Sequence, residues 1–153
     1  MSTTGAPSEP VVLTAAGAEW LRDRLSRMDQ RLARITAELD NERSPDLITE
    51  RASLHDQAEE LRQLLDQSVP PSAVRDDPEI VELGDEVEVR FPDDSTETFL
   101  VVHPAEAGLD EHRTSSDAPL ARAVLGNRPG DRVTVLSPAG VYHAEILSRA
   151  RID

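Results

Sequence analysis

Catalysis needs nucleophiles, bases or metal ligands at workable spacing, and this chain of 153 residues supplies few of them. It has no cysteine, which removes thiol nucleophiles, disulfides and cysteine metal sites. Its histidines are His55, His103, His112 and His143. None stands in a nucleophile–base motif or at the His-Glu spacing of a zinc site, and no glycine-rich phosphate loop occurs. His55 lies off the apolar seam of an expected helix and reads as a solvated surface residue. His103 and His143 fall in or beside expected strands and read as structural. The chain is therefore not expected to be an enzyme.

The one suggestive grouping is acidic: Asp40, Glu42, Asp46 and Glu50. Paired carboxylates can hold a hard cation such as Mg²⁺, but two rarely complete an octahedral site, so water or another molecule must supply the rest. Asp46 and Glu50 share a helix face at i and i+4, where like charges mildly repel. Ordinary solvated charge at a helix start accounts for the same residues.

These acids are placed by two helices. Leu21, Leu25, Met28, Leu32, Ile35 and Leu39 follow one another in heptad rhythm, a seam that needs a partner to cover it. Thr14 suits the N-cap before it. The rhythm stops at Asp40-Asn41-Glu42-Arg43. Ser44 then suits an N-cap, Pro45 the first helical position, and Asp46 the positive end of the helix dipole. Leu47, Leu54, Ala58, Leu61 and Leu65 keep heptad register in the second helix, interrupted by Arg51, until Val69-Pro70-Pro71 ends it. The short connector favours an antiparallel hairpin over pairing between chains, so a monomer is expected.

Expected boundaries are a disordered tail over 1–12, the coiled-coil hairpin over 13–68, a linker over 69–82 and a β-rich domain over 83–153. Strands are expected at Glu86 to Phe91, Glu97 to His103, Arg132 to Leu136 and Val141 to Leu147. One short helix lies within Ser116 to Gly126, with Gly126 as its C′ stop. The phrases Gly84-Asp85-Glu86-Val87 and Gly130-Asp131-Arg132-Val133 echo each other as tight turns into strands, which is convergent turn chemistry rather than a repeat. The fold class is α+β, an N-terminal hairpin followed by an antiparallel β domain with one short helix.

The formal net charge of −14 disfavours independent binding to DNA or RNA, whose affinity comes largely from Lys and Arg on phosphates. A protein partner fits better. The chain lacks both an apolar run long enough to span a bilayer and a signal-like start, so a cytoplasmic protein without membrane contact is expected.

The segment Ser115-Ser116-Asp117-Ala118-Pro119-Leu120-Ala121-Arg122-Ala123-Val124-Leu125-Gly126-Asn127-Arg128-Pro129-Gly130-Asp131-Arg132-Val133 resembles the signature "S-P-L-A/G-R-A-L-L-G-x-x-x-G-D-x-V" of the Gre family of bacterial transcription elongation factors. Leu13-Thr14-Ala15-Ala16-Gly17, Leu83-Gly84-Asp85-Glu86-Val87-Glu88-Val89 and Pro138-Ala139-Gly140-Val141-Tyr142-His143 extend the resemblance over nearly all of the chain after residue 12. It implies an FKBP-like C-terminal domain that docks at the rim of the RNA polymerase secondary channel. The docking residues expected from the signature are Ser116, Pro119, Leu120, Arg122, Leu125 and Gly126. It also implies a hairpin whose tip acids, Asp46, Glu50, Asp40 and Glu42, face the polymerase active centre.

In cleavage-stimulating members the tip resembles Gly-Asp-Leu-x-Glu-Asn, whose acidic pair helps hold a second Mg²⁺ and promotes cleavage of backtracked RNA. Here the stretch is Pro45-Asp46-Leu47-Ile48-Thr49-Glu50-Arg51. Asp46 and Leu47 match, the next acid falls at +4 instead of +3, and Arg51 replaces the Asn. One residue of helix is a rotation of about 100°, so of the tip acids Asp46 alone is kept as a ligand to a Mg²⁺ shared with the polymerase, and no cofactor is expected on the chain by itself. The resemblance thus favours an inhibitory polymerase-binding regulator over a cleavage stimulator. Outside that reading stand an FKBP-like prolyl isomerase, for which Phe91, Phe99 and Tyr142 are the only aromatic residues in the domain, and a coiled-coil adaptor using Arg22, Arg24, Arg27, Arg31 and Arg34.

Overall fold

The computed structural model describes residues 10–152. Helix α1 runs over Ala15–Asn41 and helix α2 over Pro45–Asp66. Thr14 caps α1 by accepting a hydrogen bond from the Gly17 amide, and Ser44 caps α2 by accepting from the Leu47 amide, with Pro45 in the first turn. Both caps satisfy amide groups that helix geometry leaves without a partner. The 27 residues of α1 make a rod about 40 Å long.

The heptad positions are those turned inward. Leu21, Ile35 and Ala58 are buried, and Leu25, Met28, Leu32, Leu39, Leu47, Leu54, Leu61 and Leu65 are half-buried between the helices. Arg62 of α2 reaches across to Asp29 of α1 at 3.1 and 3.2 Å. At the base, Leu13, Ala18 and Leu21 form a small core with Val11, Trp20, Leu61, Leu64, Leu65 and Ala105 around it.

The C-terminal part is a five-stranded sheet in the order β5-β4-β3-β7-β6. Its strands are β3 (Asp85–Arg90), β4 (Thr96–Val102), β5 (Arg113–Ser115), β6 (Arg132–Ser137) and β7 (Gly140–Arg151). Helix α3 (Pro119–Val124) packs on one face. Alternation places Val87, Val89, Phe99, Val101, Val133, Val135, Ala144 and Ile146 on that face, where they meet Ala121 and Val124 in the main core. The class is α+β, as expected.

Three expectations need correction. The sheet is mixed, because β5 runs parallel to β4. Within the span 1–12 assigned to a tail, Val11–Val12 form β1, which pairs in parallel with β2 (Ser68–Val69) and closes the base of the hairpin. Residues 1–9 lie outside the described residues. The span 69–82 is not a plain linker either: it contains the end of β2 and a 3-10 turn over Pro71–Ala73, and its Val81 is buried in the main core.

The echoed phrases adopt one geometry. Asp85 accepts from the Glu82 amide at 2.8 Å, and Asp131 accepts from the Arg128 amide at 2.9 Å. In both, the Asp amide bonds back to the same residue three positions earlier. The intervening Gly84 and Gly130 have φ of +91° and +95°, where a side chain would be strained. Their burial differs: Asp85 is fully buried, with Arg75 at 3.5 Å and Arg149 at 3.7 Å. Burial nevertheless pushes its carboxyl above the usual range, against the nearby arginines and the Glu82 amide.

Candidate functional site

The hairpin tip is built from the last turn of α1, the connector and the first turns of α2. Asp40, Glu42 and Asp46 are all exposed. Glu42 closes α1, its amide bonding to the Glu38 carbonyl at 3.1 Å. Asp46 sits in the first turn of α2, where the helix dipole favours its charge.

Glu50 differs from the other three. Arg31 Nε donates to its Oε2 and Arg31 Nη2 to its Oε1, both at 2.9 Å. This two-pronged bond matches the planar guanidinium to the planar carboxylate. The Arg31 hydrogen bond holds the Glu50 carboxyl below the usual carboxylate range, and Glu50 in turn raises the Arg31 guanidinium. The structure thus turns Glu50 toward α1 and leaves Asp46 without it. Among the described residues no group of three His, Asp or Glu side chains is placed to hold a metal ion.

The signature segment surrounds α3. The Ser116 amide bonds to the Val102 carbonyl at 2.8 Å, the Ala118 amide to the Ser115 carbonyl at 2.9 Å, and the Gly126 amide to the Val81 carbonyl at 2.9 Å. These bonds tie the start of the helix to β4 and β5 and its end to the segment that precedes β3. Ser116, Pro119, Leu120 and Leu125 are half-buried, while Arg122 and Gly126 are exposed. Leu120 and Leu125 pack against the main core, so they support the helix as well as presenting a surface. Gly126 has φ of +82°, fitting its place as the stop.

Two of the three aromatic residues of the domain, Phe91 and Tyr142, line one open surface cavity together with charged Arg90, Asp94, Arg132 and Glu145. Phe99 is in the core, and the rings of Phe91 and Tyr142 meet at a tilt of 58° with centroids 6.0 Å apart. Of the arginines on α1, Arg31 is engaged with Glu50, while Arg22, Arg24, Arg27 and Arg34 are exposed.

Sequence reasoning missed a buried acid. Glu106, in a 3-10 segment over Pro104–Leu109, is fully buried. It accepts from the Thr14 amide at 2.8 Å, from the Thr14 hydroxyl at 2.6 Å and from Arg113 Nε at 3.1 Å. Thr14 lies 92 positions away in sequence, so no local pattern reveals the pair. Gly17 offered the one hint: a glycine inside a helix costs about 1 kcal/mol relative to alanine. A Cβ at that position would overlap the Glu106 carboxylate.

Comparison with known proteins agrees with the signature. Residues 76–150 match the family model described as "Transcription elongation factor, GreA/GreB, C-term". Transcription elongation factor GreA of Geobacillus kaustophilus is 33% identical over 100 residues, which cover 65% of this chain and 63% of that protein. GreA of Chloroflexus aurantiacus is 46% identical over 68 residues, covering 44% of this chain and 43% of the relative. The matched stretch thus spans less than two thirds of either relative. The crystal structure of GreA factor homolog 1 (Gfh1) of Thermus thermophilus aligns over 93% of this chain and 99% of its own, at 27% identity and a TM-score of 0.42. With its match to the GreA/GreB C-terminal model, the segment 76–150 belongs to the Gre family of transcription elongation factors, and the chain is similar to GreA proteins.

Proposed function

We propose that this protein binds bacterial RNA polymerase at its secondary channel and regulates elongation, acting as an inhibitor rather than as a stimulator of transcript cleavage. The C-terminal domain docks at the channel rim through the α3 segment, and the helical hairpin enters the channel. Family membership and the exposed Arg122 and Gly126 around α3 support docking, and the hairpin of about 40 Å supports reach.

The observation that carries the inhibitory reading is the Arg31–Glu50 bond. A tip that helps hold Mg²⁺ needs carboxylates free to coordinate it in near-octahedral geometry. Here Asp46 is exposed, as are Asp40 and Glu42 before it, but the next acid along α2, Glu50, is bonded to an arginine at 2.9 Å. The donor set does not fit a second catalytic Mg²⁺, so the hairpin acts by occupying space. The protein works as a monomer, with no DNA or RNA affinity of its own, in the cytoplasm. Among the described residues no helix is long and apolar enough to cross a membrane.

The test is an elongation assay with purified bacterial polymerase. The expected result is dose-dependent slowing of RNA synthesis, with the protein co-migrating with polymerase in gel filtration. Absence of binding contradicts the proposal.

A further inference from the structure

The hairpin and the C-terminal domain have separate cores, so something must set the direction in which one projects from the other. Among the described residues, the only pair of elements in substantial contact across this boundary is α1 with the 104–109 segment. Glu106 stands at that contact. On the hairpin side it holds the amide and hydroxyl of Thr14. On the domain side it holds Arg113 Nε, and Arg113 is fixed again by Asp110, which bonds to both its Nη1 and its amide. Thr14 is at the same time the N-cap of α1, so the bond grips the helix at its origin. A small rotation there is amplified along a rod of about 40 Å.

Three features show that the contact is built for the carboxylate. Glu106 is fully buried, which is tolerated only when an ionised group is paired and hydrogen-bonded. Gly17 leaves room for the carboxylate at the cost of helix propensity. His103 caps the 3-10 segment, its Nδ1 accepting from the Ala105 amide at 3.0 Å, which steadies the backbone that carries Glu106.

We infer that Glu106 is a positioning residue: it locks Thr14, and through it the hairpin, at a fixed angle to the C-terminal domain. The functional consequence rests on the proposed polymerase binding, because the angle decides whether a docked domain aims the hairpin into the channel. The lock itself is a property of the isolated chain.

The chain has no cysteine, so a pair of spin labels can be attached cleanly at Thr49→Cys near the tip and Thr98→Cys on the sheet. The unaltered lock is expected to give one narrow distance distribution by double electron–electron resonance. Two variants break it differently: Glu106→Ala removes the acceptor, and Gly17→Ala displaces it while favouring the helix. Both are expected to broaden the distribution with helix content retained, whereas Thr14→Ser, which keeps the hydroxyl, stays narrow. In polymerase assays both broken variants still bind, but their effect on elongation falls on the order of tenfold, the scale of losing one hydrogen bond to a charged group.

An unchanged distribution in both Glu106→Ala and Gly17→Ala overturns the lock. Broadening with a full effect on elongation overturns the positioning role. Broadening in a protein that never binds polymerase supports the lock and overturns the polymerase reading instead.

Discussion

Arg31 and Glu50 face each other across the hairpin, with both guanidinium-to-carboxylate bonds at 2.9 Å. The pair is exposed, so salt screens it and it adds little to stability. Its consequence is directional: it turns Glu50 toward α1.

This relationship is measurable by titration. The Glu50 carboxyl lies below its ordinary value because Arg31 donates to it. Whatever stability the pair adds is present above the unfolded-state value and is lost as pH falls through the lowered folded one. Carboxyl-detected NMR should show Glu50 titrating below the ordinary glutamate value, and Arg31→Ala should return it toward that value. A Glu50 that titrates identically in both proteins contradicts the bond.

The twin turns should respond unequally. Asp131→Ala removes an exposed turn bond and is expected to cost about 1 kcal/mol. Asp85→Ala removes a buried acid flanked by Arg75 and Arg149 and is expected to cost about 3 kcal/mol or more. Urea unfolding of the two variants decides this, and equal losses refute the assigned role of burial.

Stability should depend on pH through His103. Burial lowers its pKa, opposed by the nearby Glu106 and Asp117. The folded protein therefore resists protonating it, and protonation would also remove the Nδ1 acceptor that caps the 3-10 segment. Its contribution is complete above the ordinary histidine value of 6.5 and declines as pH falls through that value toward the depressed one. Denaturation between about pH 8 and about pH 5.5 should show this loss, and His103→Asn should flatten it.

The hairpin seam closes on Ile35, which is fully buried in the third of α1 nearest the tip. Ile35→Ala is expected to cost about 2–5 kcal/mol, the range for a large core residue that leaves a cavity. Calorimetry should show the loss, with the C-terminal core of Phe99, Val101 and Val135 untouched at low temperature.

Both helices, their caps and the four longer strands could be read from residue order because their signals are local. Leu21 to Leu39 repeat at helical spacing, Ser44-Pro45-Asp46 is a helix start, and Val87, Val89, Val133 and Val135 alternate. What escaped has no local period. Strands β1 and β2 have two residues each and β5 has three, too short for any alternation to register. The parallel pairing of β5 with β4 depends on the path through 104–109. The site was legible in part. Asp46 and the α3 segment were marked by the family signature, and the one-residue offset of Glu50 was visible. Its capture by Arg31 was not, because the relative rotation of two packed helices sets it. Glu106 was invisible for the same reason on a larger scale, since its partner Thr14 lies at the other end of the chain.

The most direct measurement is transcript cleavage in backtracked elongation complexes of purified polymerase at saturating protein. With Glu50 turned to Arg31 and so not paired with Asp46, the protein should bind the complexes, slow synthesis and leave the cleavage rate at its basal level. Cleavage stimulated by the protein and abolished by Asp46→Ala would contradict the account.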